Sequence, residues 1–190
     1  QRENSNGIKF AKDLGITTST KSVEAVVSSE AKLVFDCTTA SAHRNHIKLL
    51  QDRFLIDLTP AKLLPICVPS VTKLDNKHGV NMGSCTVQAV IPKLVNIKNL
   101  EYVEVVTTIA SKSAGMGTRE NLSEYLITTA KIIEQFTGAK AKSILIINPT
   151  ITKMHNTIYL KKKSGKMEVI QFEVEGAGDY LPTYAGNLDI

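Results

Sequence analysis

Apolar residues in this chain come first in short unbroken runs and later in alternation. Leu33-Val34-Phe35-Asp36-Cys37 and Phe54-Leu55-Ile56-Asp57-Leu58 are compact apolar runs that end in polar residues. Each reads as a strand buried on both faces, as in a parallel sheet. Between them, Ala40–Leu50 reads as a helix with Ile47 and Leu50 turned inward, and Thr59-Pro60 stops the second strand. Upstream, Ile8–Leu14 reads as the end of a helix closed by Gly15. Thr17–Thr20 is short and β-branched, and Ser22 is placed to cap a brief helix over Val23–Ser28. Strands alternating with helices predict βαβ units and a right-handed parallel sheet. Ala61–Lys77 has little periodicity and reads as a connection. Val80-Asn81-Met82 is a short strand leading into Gly83-Ser84-Cys85, and a helix can run from Thr86 until Pro92 kinks it or opens a new first turn.

After residue 100 the texture changes. Tyr102–Ala110 alternates and is rich in Val, Thr and Ile, which predicts a strand with one half-buried face. Ser111–Thr118 is a small-residue loop. Arg119–Phe136 carries Leu122, Tyr125, Leu126, Ile132, Ile133 and Phe136 at helical spacing, and Gly138 stops it. Ser143–Ile147 is a strand ended by Asn148-Pro149. Thr157–Leu160 and Met167–Val174 alternate around Ser164-Gly165, as a hairpin does. The first 80 residues are thus α/β. The region 81–175 is α+β with antiparallel strands, and the boundary falls near Cys85.

Composition narrows the class without naming a function. Of 190 residues, 43% are hydrophobic and 22% charged, enough for a core and too ordered a mixture for a low-complexity or disordered chain. No apolar run reaches the roughly 18 residues that span a bilayer, and no signal peptide opens the chain. The net charge of +5 is mild and its lysines and arginines are scattered, which argues against nucleic acid as a partner. Three cysteines, 37, 67 and 85, are an odd number without a C-x-x-C, so the expectation is reduced thiols in a cytoplasmic protein.

One thiol stands in a chemical context. Cys85 lies between a Gly-containing turn and a helix start, where backbone N–H groups and the helix dipole favour a thiolate. Position alone leaves open both a nucleophile and an inert buried cysteine. Cys37 reads as a strand-end residue and Cys67 as filler in the connection. The loop Ser113-Ala114-Gly115-Met116-Gly117-Thr118 can present N–H groups to a phosphate or carboxylate, although tight turns use the same residues. Neither G-x-G-x-x-G nor G-x-x-x-x-G-K-[ST] occurs. His43 and His46 sit three apart on a helix and read as a solvated face, and no metal site is expected from His43, His46, His78 and His155. Lys161-Lys162-Lys163 reads as a solvated hairpin end.

Several stretches, taken in order, resemble one family. They are Val34–Thr38, Ile56–Ala61, Val80–Met82 followed by Cys85 and Gln88–Pro92, Ser111–Gly115, Gly117–Arg119 and Ile147–Pro149. Glu173–Gly176, Gly178–Pro182 and Tyr184–Ile190 complete the series. This pattern is similar to that of the acylating acetaldehyde dehydrogenases and covers almost the whole chain. The resemblance implies an α/β fold: a partial Rossmann-type parallel sheet followed by an α+β catalytic and dimerisation domain. Residues 1–84 then form an incomplete NAD-binding domain and 85–183 the catalytic domain, and 184–190 return to the first. It implies that Cys85 attacks a short aldehyde, that hydride leaves to NAD, and that coenzyme A takes the acyl group from the thioacyl-enzyme. It places Ser113, Ala114, Gly115, Met116, Gly117, Thr118, Arg119, Glu120 and Asn121 in the NAD-contacting loop, with Asn187 near the end. It also implies a homodimer and, in aromatic-compound catabolism, a 4-hydroxy-2-oxovalerate aldolase that hands over the aldehyde.

The chain departs from the family pattern in four places. The N-terminal strand with its Gly-rich phosphate loop has no counterpart in these residues. Two glycines that follow the nucleophile are replaced by Thr86 and Val87, whose side chains are expected to crowd the approach to substrate. The family's catalytic Asp aligns with Asn156, an amide that can orient a ligand but cannot act as a base. The stretch between Tyr159 and Glu173 is much shorter. Two alternatives follow: an inactive relative serving as a binding or oligomerisation module, and a semialdehyde dehydrogenase of the same architecture that uses His155 as its base.

Overall fold

The computed structural model describes residues 5–73 and 77–175. Helices α1 (Asn6–Asp13) and α2 (Val23–Val27) precede strand β1 (Leu33–Asp36), helix α3 (Ala40–Leu49), strand β2 (Phe54–Asp57) and strand β3 (Gly79–Asn81). The strands form a parallel sheet in the order β1-β2-β3, with Phe35 beside Ile56 and Ile56 beside Val80. The two apolar runs pair as the parallel strands predicted, but only β2 is largely buried: Leu33 and Phe35 of β1 are exposed. Thr17–Thr20 forms no strand, and Ser22 does not cap α2. Its φ is +55° and its side chain makes no capping bond. Arg53 closes the other end of α2 instead. Its guanidinium donates to the carbonyls of Val26 at 2.9 Å, Val27 at 3.1 Å and Ala31 at 2.9 Å, satisfying acceptors that a helix end leaves open.

The connection 61–77 is more than a linker. Cys67 N–H donates to the Asn81 carbonyl and Asn81 N–H to that of Pro65, each at 2.8 Å, so the segment docks in parallel beside β3. Cys67 is thereby buried with Ile56, Val80 and Met82 in a core cluster. Gly79 enters β3 with φ +139°, and a Cβ there would run into the Leu55 backbone of β2.

The inward face of α3 differs from its predicted one. Leu50 is buried and Ile47 half-buried, but the fully buried residues of the helix are Ala40 and His43. The expectation of a solvated histidine face is wrong. His43 Nδ1 lies 2.8 Å from Asp36 Oδ2 and its Nε2 lies 3.2 Å from Asp57 Oδ2; His46 Nδ1 also meets Asp36 Oδ2, at 3.0 Å. Both carboxylates close a parallel strand, so the imidazole ties β1, β2 and α3 together. Burial by itself would raise the Asp36 carboxyl, but bonds from Thr38, His43 and His46 outweigh it and hold the group below the usual carboxylate range.

Helix α4 (Cys85–Leu94) leads to the second sheet: β4 (Leu100–Ala110), a 3₁₀ turn (Ser111–Ser113), α5 (Met116–Glu120), α6 (Leu122–Thr137), β5 (Lys140–Asn148), β6 (Met154–Lys162) and β7 (Met167–Val174). Pro92 lies in the last turn of α4 without ending it. The strand order is β5-β4-β6-β7. The sheet is mixed rather than antiparallel: α6 carries the chain back across it, so β5 runs parallel to β4, while β6 and β7 are antiparallel. One face packs on α4 and α6 through Val87, Val90, Ile91, Ile132 and Ile133 against Val103, Val105, Ile109, Ile158 and Leu160. The opposite face leaves Ile146, Tyr159, Met167 and Val169 exposed. The chain turns from β6 to β7 through Lys163–Lys166, where Gly165 N–H donates to the Lys162 carbonyl at 2.9 Å.

The depressed carboxyl of Asp36 makes a prediction about acid stability. A group whose native pKa lies below its unfolded value, about 3.9 for Asp, stabilises fully above that value and loses its effect as pH falls through the native one. Urea unfolding of the parent chain and Asp36→Asn should differ most near neutral pH. The difference should close below about pH 4. A gap that stays constant down to pH 3 would mean that the carboxylate carries no such linkage.

Candidate active site

The site begins at a turn. Asn81 ends β3 and uses its whole amide: Nδ2 donates to Asp57 Oδ2 and to the Thr59 carbonyl at 3.0 Å, both at the end of β2, and Oδ1 accepts Gly83 N–H at 2.7 Å. Asp57 is pushed up by burial against the bonds from Thr59 and Asn81. Gly83 takes φ +64°, and a Cβ would come within 3.2 Å of Ile132 and Val87; left-handed backbone costs a side chain about 1–2 kcal/mol before that crowding. Ser84 then caps α4, its Oγ accepting Val87 N–H at 3.2 Å, and Cys85 is the first residue of the helix. The thiol therefore sits at the positive end of the α4 dipole.

Cys85 opens on a cleft of about 330 Å³ at the carboxyl ends of the parallel strands, where ligands settle in open α/β sheets. Its walls include Thr38 after β1, Leu58 and Pro60 after β2, and Met82 to Ser84 after β3. Ser113, Gly115, Thr118 and Asn121 form the facing wall, so the structure brings much of the small-residue loop to the thiol. Ala114 is buried and Glu120 exposed. Arg119 folds back on its own loop: Nε donates to the Ala114 carbonyl at 2.9 Å and Nη2 to Ser111 Oγ at 2.9 Å. Met116 and Gly117 begin α5, and Asn187 lies outside the described residues.

Thr86 and Val87 do not crowd the cleft. Neither contributes to its walls: both are fully buried, Val87 in the core and Thr86 in a run of hydroxyls. The Tyr125 hydroxyl lies 3.1 Å from Cys85 Sγ and 2.8 Å from Thr86 Oγ1. Thr86 Oγ1 donates to Thr107 Oγ1 at 3.1 Å, and Thr107 Oγ1 donates to Asn156 Oδ1 at 2.9 Å. Asn156 thus reaches Cys85 only through intermediaries and does not line the cleft. His155, its neighbour on β6, points to the opposite sheet face, where it is half-exposed and 3.4 Å from Glu173. It cannot serve as base to Cys85.

The other two thiols have their pKa raised above the ordinary thiol value. Desolvation, then the charges of Asp36 and Asp57, push Cys37 up, although it also borders the cleft. Burial pushes Cys67 up. Iodoacetamide at pH 7 should label Cys85 well before Cys37 and Cys67, as read by peptide mass spectrometry. Equal rates would remove the nucleophile reading.

Sequence comparisons identify relatives of this chain. The family model described as "Prokaryotic acetaldehyde dehydrogenase, dimerisation" matches residues 85–172, beginning at the cysteine itself. An acetaldehyde dehydrogenase of Carboxydothermus hydrogenoformans is 39% identical over 230 residues, covering 98% of this chain and 77% of the relative. One from Bacillus cereus is 38% identical over 231 residues with the same coverage. The matched span exceeds the 190 residues of this chain, so these relatives carry extra residues within it. Among solved structures, aspartate semialdehyde dehydrogenase II of Vibrio cholerae superposes with a TM-score of 0.51 at 11% identity, over 69% of this chain and 56% of that one. A probable aspartate-semialdehyde dehydrogenase of Pseudomonas aeruginosa gives 0.50 at 12% identity, over 72% and 58%. Those two likenesses concern the fold. The level and reach of the sequence identity decide the rest: this chain belongs to the acetaldehyde dehydrogenase family.

Proposed function

We propose that the chain oxidises a short aldehyde, acetaldehyde or a near homologue, to its coenzyme A thioester, with Cys85 carrying the acyl group. The observation that supports this most is the position of Cys85, at a helix N-terminus on the floor of a cleft walled by the 113–121 loop. The sulfur adds to the aldehyde carbonyl carbon, and the positive end of the α4 dipole would favour the charge that the oxygen gains. NAD, when bound, supplies the hydride acceptor. Cys85 holds the acyl group as a thioester until the thiol of coenzyme A displaces it.

The residues present fit a nicotinamide. Gln88 is buried against the cleft, its Nε2 committed to the Cys67 carbonyl at 2.8 Å and to that of Met82, while its Oε1 has no partner. That orphan acceptor suits a carboxamide N–H. Ser113, Gly115, Thr118 and Asn121 would hold the cofactor from the facing wall, with Asn187 as a further contact. Arg119 would keep the loop in shape. In this reading residues 1–84 belong to the cofactor-binding domain, 85–183 to the catalytic and dimerisation domain, and 184–190 return to the first.

The exposed apolar face of β4–β7 supports a homodimer built through that sheet. The family further implies an aldolase as aldehyde donor. The three cysteines, none in a disulfide, suit a cytoplasmic setting, and among the described residues no helix is long and apolar enough to cross a membrane.

The test is absorbance of NADH with acetaldehyde, NAD and coenzyme A. The parent chain should form about one NADH per site without coenzyme A and turn over continuously only when coenzyme A is present, and Cys85→Ala should abolish both. NADH formation that survives Cys85→Ala would refute the mechanism. No formation by a folded parent chain would assign it to inactive relatives.

A further inference from the structure

The run of hydroxyls behind Cys85 has a property that none of its members has alone. Each hydroxyl has one proton to donate, so the direction of the run is set at its ends and at Tyr125, whose hydroxyl Ser84 also bonds. In one direction Thr107 donates to Asn156 Oδ1, Thr86 to Thr107, Tyr125 to Thr86, and the Cys85 thiol to Tyr125. The Tyr125 oxygen then faces sulfur with a lone pair, an arrangement that suits a thiol. In the other direction Asn156 donates to Thr107, Thr107 to Thr86, Thr86 to Tyr125, and Tyr125 to a thiolate.

Asn156 is the residue that permits both. It is buried, and its Nδ2 has no hydrogen-bond partner. Turning the amide over exchanges an acceptor for a donor opposite Thr107 and keeps one bond there in either state. A carboxylate at this position would accept only, and would fix the direction that suits the thiol.

We infer that Tyr125 is a further catalytic residue: its hydroxyl donates to the Cys85 thiolate, with Thr86, Thr107 and Asn156 as positioning residues that set the direction of that bond. Burial, together with the neighbouring Cys85 sulfur, pushes the Tyr125 phenol well above its usual range, so it remains a neutral donor at working pH. No proton travels along the run. Each hydroxyl turns and keeps its own, and the proton lost from sulfur leaves through the cleft to water. The same donor stabilises sulfur again when it departs as thiolate from the acyl group.

The inference rests on Cys85 as the nucleophile, and its test separates the two claims. The rate of iodoacetamide labelling at Cys85 is followed against pH in the full chain. A hydrogen bond to a charged group of this kind moves the midpoint by about one unit, so Tyr125→Phe should raise it by that amount and slow labelling at pH 7 about tenfold. Thr107→Val should shift it in the same direction, and Thr107→Ser, which retains the hydroxyl, should restore it. Asn156→Asp should raise the midpoint more with Tyr125 present than in the Tyr125→Phe background. A midpoint indifferent to Tyr125→Phe, or to Thr107→Val where the former does not fold, overturns the inference while leaving a reactive Cys85 intact. Purely additive effects of the Asn156 and Tyr125 substitutions overturn the role of Asn156. A parent Cys85 no faster than Cys37 overturns the nucleophile itself.

Discussion

The amide of Asn81 fixes the turn by which the chain leaves the parallel sheet. It joins the carboxylate ending β2, the carbonyl of Thr59, and the N–H of Gly83. With those bonds made, the backbone turns through a left-handed glycine into the Ser84 cap and delivers Cys85 as the first residue of α4. A buried Asp is costly unless its oxygens find donors, and a buried amide unless it uses both ends. Each group meets the other's need, so the turn is fixed by polar satisfaction at the edge of an apolar core. The nucleophile's place follows from that arrangement.

The two sheets also depend on this turn. Helix α4 begins at the parallel sheet and ends against the mixed one, and it supplies Val87, Val90 and Ile91 to the larger core. A shift of its start would move the cleft wall and the packing together. The electrostatics separate the two cleft thiols in the same way. Cys37 follows Asp36 and feels two carboxylates, whereas Cys85 lies at the positive end of a helix.

How much of this was legible follows physical lines. The two apolar runs, the alternating strand over 102–110 and the helix closed by Gly138 depend on local periodicity, and all appear near their expected bounds. Cys85 at a helix start was legible for the same reason, since a cap and a turn are local. His43 was not: its partners lie seven residues back and fourteen ahead, and only the parallel pairing of β1 with β2 brings Asp36 and Asp57 to one ring. Tyr125 read as one apolar position among six in α6, because spacing shows which face is inward and not what a phenol meets there. The link from Thr86 to Asn156 depends on the register of β4 with β6, which pairs Thr107 with Asn156. The mixed sheet was missed because an alternating strand looks alike in either direction. The departures at Thr86 and Val87 looked obstructive in one dimension, and the helix turns both side chains away from the cleft.

The central claim is that the acyl group passes through Cys85, and trapping that species tests it most directly. The chain would be incubated with acetaldehyde and NAD without coenzyme A, quenched in acid, and mapped by peptide mass spectrometry. The account predicts one acetyl group on the peptide containing Cys85, lost when coenzyme A is added. NADH formed with no acetyl group on that peptide, or an acetyl group on Cys37 instead, would contradict it.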